Sequence, residues 1–399
     1  MRFAAVSRLL LLALGAMFVQ QTFAAMGRNI PTVIAPAILD DLSIDPAWIG
    51  VYVAIGALAA LVFQLGCGSY IIRFGALRTS QAALLMLAVA LAACALAGPM
   101  AIFIFVAVIG AGGSAVSTPA SSHLLGRYSP PRQAPLVFSI KQTAVPVGLL
   151  LAGLAGPALT GLWGWRAAVL IGAAACAGFA LMLEPLRREF DADRKPETRF
   201  HLSDLSGTIR VVTRGRELRA LSLACFAFNG LQTVFTAYFV TWLVEMGHGL
   251  ALAGAVFSLA MIVAVPGRIV WGWVGSTIAQ PGTVMGWLAL GMAVGAVALG
   301  LTGAGTSLVL IGAVAIVISL TALSWHGVLL SEAARLAPEG LRGAATGGVL
   351  SFGQLGGLLL PLVYSASLWA TGGHGLGFAL CGVPALAAGV ALLARRKAT

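Results

Sequence analysis

Twelve apolar runs, each near or above the roughly 20 residues a helix needs to cross a bilayer, account for most of this 399-residue chain. They cover about 9–38, 47–72, 79–98, 100–125, 135–160, 165–184, 219–245, 250–274, 283–302, 306–332, 343–370 and 374–394, bounded by charged or Pro/Gly-rich breaks. Only 9% of the residues are charged and 59% are hydrophobic, against about a quarter charged in a soluble domain. A water-soluble fold is excluded, because too few charges remain to coat a surface that lipid does not solvate. The expected fold is an all-α polytopic membrane protein with twelve transmembrane helices in two pseudo-symmetric six-helix bundles. The N-terminal bundle should cover 1–184, a cytoplasmic linker 185–218 and the C-terminal bundle 219–399.

A net charge of +11 would suggest a nucleic-acid partner in a soluble chain. Here the position of each charge carries more information than the sum, and no nucleic acid is expected. Assigning alternate loops to one side gathers Arg2, Arg8, Arg73, Arg78, Arg127, Arg132, Arg335, Arg342, Arg395, Arg396 and Lys397, together with the basic residues between Arg187 and Arg219. The opposite loops hold Asp40, Asp41, Asp45, Glu245, His248, His374 and one basic residue, Arg166. Positive charge collects on the cytoplasmic side, so both termini are expected inside a cell inner membrane. An alternative for the N-terminus is a secretory signal, with Arg2 and Arg8 before the apolar run and Ala24 and Ala25 at the cleavage point. The run continues to Leu39, however, beyond the roughly 7–15 apolar residues of such a signal. The five cysteines (Cys67, Cys94, Cys176, Cys225 and Cys381) lie in apolar stretches without metal-ligand spacing and are expected to be small core residues. No metal or cofactor is expected.

The halves repeat. Gly68 to Gly75, ending the second run, has a counterpart in Gly275 to Gly282, ending the eighth. Ser139-Ile140-Lys141-Gln142 matches Ser351-Phe352-Gly353-Gln354, and Gln21-Thr22 matches Gln232-Thr233. Near-constant offsets in register with the span count argue for parallel repeats of six helices.

With these repeats the chain resembles the major facilitator superfamily over essentially its whole length. The family's signature loop between spans 2 and 3 reads G-x-x-x-D-R-x-G-R-R. This chain keeps Gly68, Arg73, Gly75 and Arg78 but has Ile72 at the acidic position. In the family that acid helps to latch the halves on the cytoplasmic side, so the latch here must use other contacts or be weaker. The second-half copy, Gly267-Arg268 to Gly275-Ser276, also lacks the acid. The span-4 arginine of many drug-efflux members is missing, and the span-5 element is partial (Gly153, Gly156, Pro157). The resemblance implies alternating access about a midplane site lined mainly by spans 1, 4, 7 and 10. It does not supply the substrate.

The residues narrow the substrate. A charge at the centre of a spanning helix costs at least about 2.5–3.5 kcal/mol, and three cations carry that burden. Arg28 lies about 18 Å from the end of span 1 at Asp40, by the helical rise. Arg268 lies about 10 Å inside span 8 by the same rise. Lys141, near the inner end of span 5, can snorkel to the inner surface. None of the 13 acidic residues falls at mid-span. Buried charges are normally paired, so a substrate anion is the expected source of negative charge, and arginine's planar fork suits a carboxylate.

Alternatives stay open at each position. Arg28 either snorkels, bonds carbonyls freed near Pro31, or contacts an anion, as the arginine in the similar first span of organic-anion symporters does. Arg268 resembles the span-8 carboxylate holder of oxalate/formate exchangers and monocarboxylate transporters, yet a Gly-Arg pair there is also a widespread structural element. Gln21 lies on one face with Arg28. Asn229, Gln232, Thr233 and Thr236 follow helical spacing on span 7, as do Ser114, Ser117, Thr118 and Ser121 on span 4. These stripes line a wet path or join helices. Gln354 is expected with Gln21, Asn229 and Gln232 at the binding site. His326, in Ser324-Trp325-His326, is either hydrogen-bonded structure or the proton-coupling group, with His123 behind it. The expected function is transport of a small organic anion by a functional monomer in the lipid bilayer, as exchanger, uniporter or proton symporter. The alternative is proton-coupled drug or metabolite efflux, which ordinarily needs a membrane carboxylate. A sensor or scaffold has no appended soluble domain to support it, and no constellation of an enzyme is present.

Overall fold

The computed structural model describes residues 8–96, 100–130, 134–197, 209, 212–213, 215–303, 305–337 and 342–394. Much of the linker expected at 185–218, namely 198–208, 210–211 and 214, falls outside them, as do Arg2, Arg132, Arg395, Arg396 and Lys397. Every regular element among the described residues is helical: α1 (Arg8–Val33), α2 (Ala35–Leu42), α3 (Trp48–Phe74), α4 (Ala76–Ala95), α5 (Met100–Ala115), α6 (Ser117–Tyr128), α7 (Ala134–Gln142), α8 (Ala144–Met182), α9 (Arg187–Phe190), α10 (Arg216–Glu245), α11 (Leu250–Thr277), α12 (Pro281–Gly300), α13 (Leu308–Ala322), α14 (His326–Leu336), α15 (Arg342–Thr371) and α16 (His374–Ala394). Helices satisfy their own backbone groups, which apolar chain in lipid requires.

Eleven stretches among the described residues are long and apolar enough to cross a membrane, one fewer than expected. The difference lies in α7–α8, where a single stretch runs from Ile140 to Phe190 over 51 residues. That is more than two crossings of about 20 residues. The helix is interrupted at Gly164, with φ 82° and ψ 160°, where the boundary between the fifth and sixth runs was expected.

Four of the expected spans are broken helices. Span 1 breaks at Ile34, span 4 at Val116, span 5 at Thr143 and span 10 at Leu323–Trp325. The first three breaks precede a proline: Pro36, Pro119 and Pro146 each sit in the first turn of the following helix, where a missing N–H costs nothing because those donors have no intrahelical partner.

Helices from the first part of the chain pack together, α1 on α8, α4 on α5 and α8, and α3 on α5. Those of the second part do likewise, α10 on α15 and α16, and α12 on α13 and α16. Two seams join the sets, α3 against α15 and α8 against α11. Both are made by glycine. A Cβ at Gly50 would overlap the Ser365 side chain and the Pro361 carbonyl of α15, and one at Gly254 would lie 2.6 Å from Pro157 Cγ. Backbones approach this closely only where side chains are absent. One buried apolar cluster runs through both sets, whereas Leu10, Met17, Ile71, Leu77, Leu124 and Phe190 form a second cluster at the Arg73–Arg78 end of the first set alone. The sets therefore share a core away from that basic side and not at it.

Candidate functional site

A cavity of about 240 Å³ lies between the two sets. All seven residues expected at the binding site line it: Gln21 and Arg28 from α1, Asn229 and Gln232 from α10, Arg268 from α11, His326 from α14 and Gln354 from α15. No Asp or Glu is among its lining residues, which also include Tyr52, Gln64, Thr118, Gln142 and Trp325.

Arg28 has no hydrogen bond or ion pair among the described residues; its guanidinium lies within electrostatic reach of Tyr52 across the cavity. Neighbouring Asn29 turns back to the Ala25 carbonyl at 2.8 Å. The carbonyls near Pro31 thus take no bond from Arg28.

Arg268 is used differently. Its Nε donates to the Leu323 carbonyl at 2.8 Å, and its Nη1 to the Gln142 carbonyl at 2.5 Å. These carbonyls stand at the C-terminal ends of α13 and α7, where helices leave acceptors unpaired and carry partial negative charge. A cation is held there without a carboxylate. The second bond joins the two sets. Its Nη2 is buried and has no hydrogen-bond partner among the described residues.

His326 stacks on Trp325 with ring centres 3.7 Å apart and an 18° tilt. Trp325 Nε1 donates to Gln232 Oε1 at 3.0 Å, which fixes the indole that the imidazole lies on. His326 Nδ1 is buried without a hydrogen-bond partner among the described residues. Lys141 overturns the snorkelling expectation: it is 0% exposed, and among the described residues its ammonium makes a single long bond, 3.5 Å to the Thr118 carbonyl. Gln64 and Gln354 meet across the seam, Nε2 of Gln354 donating at 2.9 Å.

The span-4 stripe divides. Ser114 and Thr118 line the cavity, with Thr118 donating to Gln21 Oε1 at 3.2 Å. Ser117 and Ser121 are fully buried; Ser117 accepts from Gln20, and Ser121 donates back to its own helix. His123 lies outside the cavity, half exposed at the basic side against Asp193, which also pairs with Arg127. Tyr52, Gln64, Gln142 and Trp325 were not expected at the site. Tyr52 and Gln64 are isolated polar groups in an apolar run, and that was their available signal.

The signature loop contains what its sequence lacks. Gly75, with φ 97°, links α3 to α4 without a spacer. Asp191, just past α9 and 4% exposed, places one carboxylate oxygen 2.7 Å from the Leu77 N–H and the other 3.0 Å from the Arg78 N–H. It caps the start of α4, and the Lys195 N–H donates to the Ile72 carbonyl at 2.7 Å beside it. Arg78 pairs with Glu184 at 3.3 Å. Gly68 lies inside α3 and takes no part in these bonds, and Arg73 stacks over Phe74 at 5.4 Å. An acid from the segment after α8 therefore stands at the loop in place of the one missing at Ile72. On the far side, Asp41 accepts from Arg166 at 2.6 Å and Trp165 at 3.1 Å, and these bonds hold its carboxyl below the usual carboxylate range.

Solved structures share the architecture. A bacterial homologue of the human lysosomal transporter Spinster, inward-facing and occupied, is 17% identical with a TM-score of 0.72, covering 96% of this chain and 94% of that one. A mutant of the nucleoside transporter NupG is 14% identical with a TM-score of 0.76, covering 96% and 99%. A POT family transporter bound to a thioalcohol-conjugated peptide is 14% identical with a TM-score of 0.74, covering 96% and 95%. Such identities carry the fold alone. No curated protein matches the sequence. The Major Facilitator Superfamily model matches residues 17–361, most of the chain and every residue that lines the cavity, and the protein belongs to that superfamily of membrane transporters.

Proposed function

We propose that the protein carries a small organic anion, a carboxylate, through the membrane by alternating access of two six-helix bundles, with twelve crossings and both termini in the cytoplasm of an inner membrane. One observation carries this reading. The central cavity holds two guanidinium groups and no carboxylate among its lining residues. Two permanent cations in a low-dielectric site attract an anion, and arginine offers a carboxylate parallel donors. The volume argues for a small one, since about 240 Å³ lies below the roughly 300–1,000 Å³ of sites for drug-sized ligands. Gln21, Asn229, Gln232 and Gln354 offer hydrogen bonds to the rest of the substrate, and His326 is a group that a coupled proton could use. The seams packed away from the basic side correspond to an inward-facing state.

Uptake of radiolabelled mono- and dicarboxylates into proteoliposomes tests the reading. Arg28→Ala is the cleaner variant, because Arg28 supports no other residue; Arg268→Ala also removes two helix-end bonds. Each should abolish uptake while the protein elutes as a folded monomer in detergent. Normal uptake by both variants would refute the proposal.

A further inference from the structure

Lys141 is the feature that anion transport alone does not use. It lies in the last turn of α7, where an extended side chain would reach the basic surface, yet it is fully buried with one 3.5 Å contact to a carbonyl. An ammonium has three donors to satisfy. Its surroundings supply more positive charge instead. The next residue, Gln142, holds Arg268 through its carbonyl, and Arg268 and Lys141 both act electrostatically on His326. Of the helices against α7, α1 carries Arg8 and Arg28, α6 carries His123 and Arg127, and α8 carries Arg166. None of these three helices contains an acidic residue.

We propose that Lys141 is a proton site linked to the anion site, so that binding of the substrate anion and protonation of Lys141 promote one another. The inference rests on the reading of the cavity as an anion site and goes beyond it by naming the coupling ion and its carrier. Two fixed positive charges repel a third, and an anion in the cavity beside Arg268 removes that objection. Linkage makes the effect reciprocal: a proton on Lys141 must tighten anion binding by the factor by which the anion favours the proton. The position suits a coupling group. Thr118 separates Lys141 from the cavity, its side chain facing the cavity and its carbonyl accepting from the lysine. Lys141 therefore responds to charge at Arg268 without touching the substrate, whereas His326 lines the cavity itself. As the anion enters, the Lys141 amine takes a proton from solvent on the side to which the cavity is open. After the transition to the other side the anion leaves and the ammonium returns that proton to solvent. One anion and one proton cross together and no bond other than N–H changes.

Isothermal calorimetry on the purified protein, titrated with lactate and with succinate in buffers of different ionisation enthalpy, counts the protons taken up. The wild type should take up about one proton per anion, and its affinity should fall by up to about tenfold per pH unit above the linked titration. Lys141→Met and Lys141→Gln should bind the same anion with no proton uptake and no such pH dependence, while His123→Gln, outside the cavity, should keep both. Anion binding without proton uptake by the wild type would overturn the proposal, as would proton uptake that persists in the Lys141 variants. Absence of binding by either anion would refute the anion site itself, and the linkage with it. The wild-type measurement stands even if a lysine variant fails to fold.

Discussion

Replacing Gly75 by alanine should destabilise the protein by more than backbone strain alone, and the structure contains its own control. Gly75 and Gly164 have nearly the same backbone, φ 97° and ψ 153° against φ 82° and ψ 160°. A side chain in that region costs about 1–3 kcal/mol, and both variants incur it. Their surroundings differ. A Cβ at Gly164 meets nothing within 4 Å, whereas one at Gly75 would overlap the Asp191 carboxylate. Gly75→Ala must therefore expel Asp191 from the start of α4. Loss of a helix cap costs about 0.5–2 kcal/mol, and loss of a carboxylate at a helix N-terminus about 0.3–1 kcal/mol more. The expectation is a loss of about 2–6 kcal/mol for Gly75→Ala against about 1–3 kcal/mol for Gly164→Ala. Thermal unfolding of the purified variants in one detergent gives the order. The double variant Gly75→Ala/Asp191→Ala should be little worse than Gly75→Ala, because the carboxylate that clashes is already gone. Equal destabilisation by the two glycine variants, or strict additivity in the double variant, would show that Asp191 does not hold the loop.

Two further outcomes follow from the far side of the molecule. The Asp41 carboxyl is held below its ordinary value of 3.8 by Arg166 and Trp165, so its contribution to stability is present above that value and is lost as pH falls through the lower folded one. Any difference in melting temperature between wild type and Asp41→Asn at pH 7 should close as pH drops below about 4, and a difference that widens would refute the assignment. Gly254→Leu places a side chain against Pro157 and the Gly153 backbone and should hold the α8–α11 seam apart. It should stop uptake and raise the labelling of a Thr32→Cys reporter by a membrane-impermeant thiol reagent applied from the far side; unchanged labelling would show that this seam does not close the cavity.

The fold was legible in the chain because the signal for it is local. About 20 apolar residues between polar breaks suffice to mark a crossing, and most helix ends fall within a few residues of the expected spans. Helix breaks were less visible, since hydropathy is insensitive to a kink that leaves composition unchanged. Pro36, Pro119 and Pro146 did mark three of them, each two or three residues beyond the break. The break at Leu323–Trp325 has no proline. The signature-loop acid was invisible for a different reason: Asp191 lies more than a hundred residues from the amides it caps, and the sequence alone offers no pattern at that separation. Lys141 was misplaced by a rule about reach. A lysine near a helix end can usually carry its charge to the surface, but here α1, α6 and α8 surround it.

The breaks also explain how an arginine can sit in the cavity wall without an acid. An unbroken helix spends its carbonyls on its own amides. Ending α7 at Gln142 and α13 near Leu323 frees carbonyls on both sides of Arg268, at the helix ends whose dipoles favour a cation. The chain thereby obtains a fixed positive charge at the junction of its two sets for the cost of two interrupted helices and no carboxylate. A carboxylate would have neutralised Arg268 and competed with any anion for it. Backbone carbonyls hold the guanidinium through Nε and Nη1 but leave its full charge in place, and Nη2 without a partner. A site built this way is held in position and still attracts an anion, which a salt-bridged arginine could do only after breaking its own pair.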